Sequence, residues 1–264
     1  MTRAASLVAT PAQSRRWVAP TVVIVAVFFG GWLLIATVFA DTALSTPPEM
    51  IAKAIDDGFA FYANNAGITV LRAVQGYAIG NVIALVLAAF VLMIPRFEDV
   101  TTQLAVVVQC LPITAVGPLI VAIFGGQATA IVLASMLVFF ATLIGSVAGA
   151  KTASRSSVDL VRAYRGTRLQ LLVKVRLPSA LPAIFGALKI AVPAALLGAI
   201  LGEYLGGIDS GLGVALNAAQ RAMESARVWN IAVLTGVITF AWYGLIALIG
   251  RIAVPWTRAT RSPR

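Results

Sequence analysis

The sequence predicts an all-α, polytopic membrane protein with six transmembrane helices, and three observations predict it. Of its 264 residues, 60% are hydrophobic and 11% charged, against about half and a quarter in an ordinary soluble domain, and the mean hydropathy is +0.94. The apolar residues gather in runs of about 20, the length an α-helix needs to cross hydrocarbon. The charges lie between those runs rather than on a soluble surface, so the net charge of +10 is better explained by membrane orientation than by nucleic-acid binding. His is absent and Cys110 is the single cysteine, which removes imidazole bases, zinc clusters, Cys/His dyads and an intrachain disulfide. No catalytic residue and no metal site is expected, and the chain is not expected to be an enzyme.

The six spans are expected near residues 18–40, 70–94, 103–124, 127–149, 183–205 and 228–250. The first carries no charge from Trp17 until Asp41 and is longer than a signal-peptide core, so a retained anchor is expected despite the cleavage-like triplet Val38-Phe39-Ala40. Residues 1–17 then form a cytoplasmic tail, 18–254 a single membrane domain with a cytoplasmic loop at 151–181, and 255–264 a basic cytoplasmic tail. With the N-terminus inside, fifteen of the 20 Lys and Arg residues fall on cytoplasmic segments. Only Lys53, Arg221 and Arg227 fall outside, while Arg72 and Lys189 sit at span edges. That asymmetry places both termini in the cytoplasm. Lys189 lies about two helical turns above the inner end of the fifth span, where its stem can snorkel inward.

Within the spans, small residues recur four apart at Gly76 and Gly80, Gly145 and Gly149, Gly198 and Gly202, then Gly202 and Gly206. Such spacing lets helix backbones approach closely in lipid. Pro112, Pro118 and Pro193 interrupt the third and fifth spans, by a kink or beside a water-filled path. On the outer side, Pro47-Pro48 opens a short helix with Met50, Ile51, Ala54, Ile55 and Phe59 at helical spacing, expected to lie on the membrane surface. The stretch 206–227 reads as a second outer loop, turning at Gly207-Ile208-Asp209-Ser210-Gly211.

The loop 151–181 is the most specific segment. Ser156 and Asp159 fit a capping box, and Gly166 is placed to end that helix in a left-handed conformation. Thr167-Arg168-Leu169-Gln170 starts a second helix with Leu169, Leu172 and Val173 on one face, which Leu177-Pro178 is expected to stop before Pro182 leads into the fifth span. Two capped helices with an apolar stripe make a basic elbow, more than a connector requires, and a surface for docking a partner.

These residues carry a resemblance. Leu160-Val161-Arg162-Ala163-Tyr164-Arg165-Gly166, followed by Leu177-Pro178, resembles the Glu-Ala-Ala loop of binding-protein-dependent ABC importer permeases. Gly166, Leu177 and Pro178 match its frame; the three leading positions are Leu160, Val161 and Arg162, with the acid at Asp159. Gln109-Cys110-Leu111-Pro112 through Phe124-Gly125 is similar to the third span of the nitrate, sulfonate, taurine and pyrimidine-precursor branch. Glu203-Tyr204-Leu205-Gly206 with Ser210-Gly211-Leu212-Gly213 is similar to the end of its fifth span and the loop beyond.

The resemblance implies a permease subunit of the MetI-like type in the cell (inner) membrane, a homodimer that forms the pathway for a small solute. Separate ATPase subunits would bind ATP-Mg, and an extracytoplasmic binding protein would deliver the solute. This chain would hold no cofactor. It contains no Gly-Lys dipeptide and hence no phosphate-binding P-loop. By the same resemblance the helix 159–165 is the coupling helix, with Asp159, Arg162, Ala163, Tyr164, Arg165, Gly166, Leu177 and Pro178 as coupling residues. Glu203 is the only acid inside an expected span and is a candidate for a gate, a substrate contact or a structural ion pair. Gln109, Thr114, Ser135 and Thr142 are candidates for a polar path, or bond their own or neighbouring helices. The rival reading is a stand-alone secondary transporter or channel driven by an ion gradient, which calls for more buried charge or an inverted repeat. An intramembrane protease fails for want of His and of a second membrane acid.

Overall fold

The computed structural model describes residues 45–94, 112–206 and 208–255, with isolated positions 23, 30–32, 37, 97 and 103. Most of the expected first span, the start of the third, Gln109, Cys110, the side chain of Thr114 and the segments 1–17 and 256–264 lie outside the described residues. Nine α-helices and no strand are present among the described residues: α1 Pro47–Asp57, α2 Phe59–Met93, α3 Ile113–Phe124, α4 Gly126–Ala150, α5 Arg155–Ala163, α6 Arg168–Leu171, α7 Leu177–Leu205, α8 Leu212–Arg221 and α9 Ser225–Ala253. A π-helical turn, Leu172–Arg176, joins α6 to α7. Among the described residues, four helical bodies are long and apolar enough to cross a membrane: Phe59–Met93, Gly126–Ala150, Arg168–Leu205 and Ser225–Ala253.

Helix α4 lies between α2 and α7 and is the axis of the bundle. The glycines spaced four apart explain why. A Cβ on Gly80 would stand 2.5 Å from the Ser135 carbonyl, and one on Gly76 would strike Ala134, so α2 reaches α4 only because these positions are bare. From α7, a Cβ on Gly198 would sit 2.6 Å from Ala134 Cα, and Gly202 meets the Ala130 backbone in the same way. Nearer the α5 end, Gly145 and Gly149 press on Ala187 and Ala183 of α7, each 2.5 Å from the hypothetical Cβ. With no hydrophobic drive between helices in lipid, this close packing supplies cohesion. Ala73, Ala134, Val138, Ala191, Ala195, Leu196 and Ala199 form the resulting core, flanked by Tyr77 and Trp242. Gly206 differs: its nearest neighbour is the Gly202 carbonyl of its own helix, and it makes no interhelical seat.

Helix α9 covers one side and buries only Ile231; Val237, Phe240, Leu245 and Ile252 are exposed, as a lipid-facing surface requires. Between α3 and α4 the chain reverses through Gly125 and Gly126, both at positive φ (58° and 51°), a conformation that side chains disfavour.

Three expectations are corrected. Helix α2 begins at Phe59, eleven residues before the expected span, because its polar first turns serve the knot described below. The stretch 206–227 is not simply a loop: it contains α8, whose Leu212, Gly213, Ala215 and Ala219 are buried. Pro178 does not stop a helix. Its ring would collide with the carbonyl four residues back and it has no N–H to donate, and the wider π turn absorbs both defects, with Leu177 N–H bonding the Leu172 carbonyl. Residues 168–205 therefore form one continuous helical body.

Candidate functional site

Two assemblies at opposite ends of the bundle concentrate the polar chemistry. The first is a buried knot where α2, α7 and the start of α8 meet. Arg72 Nη1 donates to Glu203 Oε1 at 2.9 Å and to the Ser210 carbonyl at 2.7 Å. Glu203 Oε2 accepts from the Thr69 hydroxyl at 2.8 Å and from Gly213 N–H at 2.9 Å. Leu212 N–H donates to Thr69 Oγ1, and Gly211 N–H to Asn65 Oδ1, so the 208–213 turn is tied to α2 as firmly as Glu203 is. The side chains of Glu203 and Arg72 are 0% and 5% exposed. Gly211 is at φ 124°, and a Cβ there would fall on the Glu203 carboxylate. Stripping water from two ions costs several kcal/mol each, and only a fully bonded arrangement such as this offsets it. The Ser210–Gly213 segment and α8 seal the carboxylate in.

Beside the knot, α1 is fastened to α9. Thr46 N–H donates to Glu49 Oε2 at 3.0 Å across the first turn of α1, and Asn230 Nδ2 donates to the Met50 carbonyl at 2.8 Å. Asp57 accepts from Arg227 Nε at 2.8 Å and from the Tyr62 hydroxyl at 2.8 Å, and lies 3.2 Å from Lys53 Nζ. The hydrogen bond from Arg227 holds the Asp57 carboxyl well below the usual carboxylate range, and those to Asp56 and Asp57 hold the Lys53 ammonium well above the usual lysine range. Ile51 and Ile55 of α1 and Phe59 at the start of α2 stay exposed, the apolar edge expected of a helix lying on a membrane surface.

The second assembly is the elbow. Its first helix, α5, is capped by Ser154, not Ser156: Ser157 N–H donates to Ser154 Oγ at 3.2 Å. It ends in a Schellman pair, Arg165 N–H to the Arg162 carbonyl at 2.9 Å and Gly166 N–H to the Val161 carbonyl at 2.8 Å. The left-handed residue is Arg165 (φ 53°) and not Gly166. Gly166 is needed for space, since a Cβ would stand 2.5 Å from Val161 Cγ1 and 2.8 Å from its carbonyl oxygen. Thr167 then caps α6 with Gln170 in the expected reciprocal box.

No residue of α5 is buried, and Leu160 and Tyr164, one turn apart, are 59% and 82% exposed. Asp159 pairs loosely with Arg162 at 3.7 Å, both exposed. Arg168 Nη1 and Arg176 Nη1 donate to the Met93 and Leu92 carbonyls at 3.2 and 2.9 Å, so two cations cap the α2 C-terminus and tie the elbow to it. Ala163 and Arg165 are exposed beside Tyr164, and Leu177 and Pro178 open α7 below the elbow. Ser135 donates to its own helix at the Ile131 carbonyl (2.7 Å), while Thr142 is fully buried and donates to Asn81 Oδ1 of α2 at 2.6 Å.

The partner of Glu203 was not anticipated. A usable signal existed, because a single acid and a single arginine in otherwise apolar helices have few partners but each other.

A bundle of long apolar helices with a sealed ion-pair knot at one end and a capped, unburied elbow at the other defines a polytopic α-helical membrane protein. Residues 80–255 match the family model described as binding-protein-dependent transport system inner membrane component, and the chain belongs to that family. It is similar to a probable ABC transporter permease protein of Haemophilus influenzae, 29% identical over 162 residues, 61% of this chain and 66% of that protein. The formylaminopyrimidine transport permease protein ThiX of Halalkalibacterium halodurans is 25% identical over 53% of this chain and 56% of its own length. The riboflavin transport system permease protein RibX of Chloroflexus aurantiacus is 34% identical over 79 residues, 30% of each chain. The matched regions thus span less than two thirds of each of these relatives.

Proposed function

We propose that this chain is the pathway-forming permease subunit of an ATP-driven importer, with the elbow end in the cytoplasm and the knot end outside. The observation that carries the reading is mechanical. The elbow is exposed and capped, continuous with α7 through the π turn, and bonded through Arg168 and Arg176 to the end of α2. A displacement of α5 is thereby delivered to two of the helices that grip α4. Leu160 and Tyr164 present the apolar anchors for a groove on a separate ATPase, and the surrounding arginines steer docking.

The other parts of the system follow from that reading. ATP-Mg belongs to the ATPase subunits, an extracytoplasmic binding protein delivers the solute, and two copies of this chain enclose the route. Both termini are cytoplasmic, in keeping with the distribution of Lys and Arg. Glu203 acts as the fixed outer tie of α2 to α7 rather than as a solute ligand, because it is buried and both its oxygens are bonded, to Arg72, Thr69 and Gly213. The solute is a small molecule of the sulfonate, nitrate, taurine or pyrimidine-precursor kind; relatives named for riboflavin and formylaminopyrimidine transport keep vitamins and their precursors within that range.

Gly166→Val tests the reading. The added side chain must displace Val161 and its carbonyl, breaking the turn that sets α5 against α6. The variant is expected to insert normally and to lose co-purification of its ATPase partner. Retention of the ATPase at wild-type stoichiometry contradicts the assignment.

A further inference from the structure

Among the described residues, three charges lie within the depth of the apolar helices: Arg72, Glu203 and Lys189. The first two neutralise each other. Lys189, part-buried on α7, makes no hydrogen bond or ion pair with any described residue. It stands nine residues beyond Ala180, which packs on Gly149 at the end of α4. At 1.5 Å per residue that is about 14 Å along α7 from this contact, more than a four-carbon stem spans, so the snorkelling expected from the sequence does not bring the ammonium level with the end of α4.

Its setting is polar in a second way. Pro193 has no N–H, so the carbonyl of Lys189, four residues back, loses its helical donor. The same side of α7 carries an exposed stripe through Pro182, Ile190, Pro193, Leu197 and Tyr204. That stripe ends at a polar mouth where Tyr204 donates to Gln220 at 2.9 Å and Asn217 donates to the Tyr204 carbonyl. A lone ammonium at this depth demands a counter-charge. The sequence offers none, since Glu203 is the single acid of ten within an expected span and is already bonded to Arg72. A second copy of the chain supplies no other.

We propose that Lys189 is the anion-binding residue of the translocation route and that the carried solute bears a negative charge, of the carboxylate, sulfonate or phosphate class. The proposal rests on the permease reading and narrows it to anions. Lys189 holds the charged group midway, and the free carbonyl beside it accepts a hydrogen bond from a donor on the same solute.

Charge-selective thiol labelling tests this in the complete importer, purified with its ATPase and binding protein. In a Cys110→Ser background, Gly186→Cys places a thiol one turn from Lys189, where a Cβ meets nothing within 4 Å. The rates of reaction with anionic sulfonatoethyl and cationic trimethylammonioethyl methanethiosulfonate are compared, with Lys189, Lys189→Arg and Lys189→Gln in turn; Ile190→Cys serves as a second reporter. The anionic-to-cationic rate ratio is expected to be high with Lys or Arg and to fall on the order of tenfold with Gln. An unchanged ratio overturns the assignment, and so does a thiol at both positions that neither reagent reaches. If wild-type protein brings down no ATPase, the permease reading itself fails; if the ATPase is present and the ratio does not move, only the anion assignment fails.

Discussion

Glu203 and Asp159 are both carboxylates that the sequence marks as functional, and the structure treats them in opposite ways. Glu203 is wholly buried with every oxygen bonded to another element, whereas Asp159 stands in solvent with one loose arginine at 3.7 Å. The same contrast holds for the two ends of the bundle. The knot end is cross-braced by side chains of α2 and α7 and the backbone of the 208–213 turn, whereas the elbow end is held by local helix caps and by Arg168 and Arg176 on the end of α2, with the side chains of α5 facing out. Bonds that close on themselves hold a scaffold together; a capped helix whose side chains are left open is what the proposed docking of a partner requires.

The largest effect expected from breaking this contrast is at Arg72. Arg72→Met leaves Glu203 buried without its cation and is expected to cost about 3–5 kcal/mol, read as a collapse in folded yield after detergent extraction. The paired change Arg72→Met with Glu203→Gln removes both charges and is expected to recover much of that yield. Next comes Gly198→Val, which forces α7 off the Ala134 backbone and is expected to cost about 1–3 kcal/mol, measured as a lowered Tm.

A smaller effect attaches to Asp57. Its carboxyl is held below the ordinary range, so its contribution is present above about pH 4, the unfolded value, and is lost as pH falls further toward the folded one. Asp57→Asn is expected to lower Tm by the equivalent of about 1 kcal/mol at neutral pH and by progressively less in acid; a constant difference between pH 7 and pH 3 contradicts the ion-pair account. The smallest effect on stability belongs to the elbow: Leu160→Ala with Tyr164→Ala is expected to leave Tm within about 0.5 kcal/mol of wild type while ATPase co-purification drops sharply.

The second, fourth, fifth and sixth spans were legible because hydropathy is a property of composition, and α4 and α9 begin and end within a few residues of expectation. The glycine spacing also read correctly as close helix contact, since backbone approach depends on the absence of a side chain and little else. What escaped depended on partners far apart in the chain. Asn65 and Thr69 look like loop residues until the 208–213 turn is seen bonded to them. Leu212 and Ala215 look like loop residues until α8 is seen packed against Ile231. At the elbow the motif was found, but Ser154 and Arg165 hold the cap and the left-handed position that Ser156 and Gly166 were expected to hold, because several serines in a row and a φ value are decided by geometry that local pattern does not encode. Pro178 marked the place of the π turn but read as a stop, because a proline in the sequence does not show whether the helix breaks or widens around it.

The difference between the two ends is most directly tested by cross-linking in native membranes. In a Cys110→Ser background, a single cysteine at Tyr164 or at Ile208 is treated with a short thiol-to-amine reagent in the presence of the partner ATPase. The account predicts an adduct to the ATPase from position 164 and none from position 208. An adduct from 208, or none from 164 in a complex that is otherwise assembled, contradicts it.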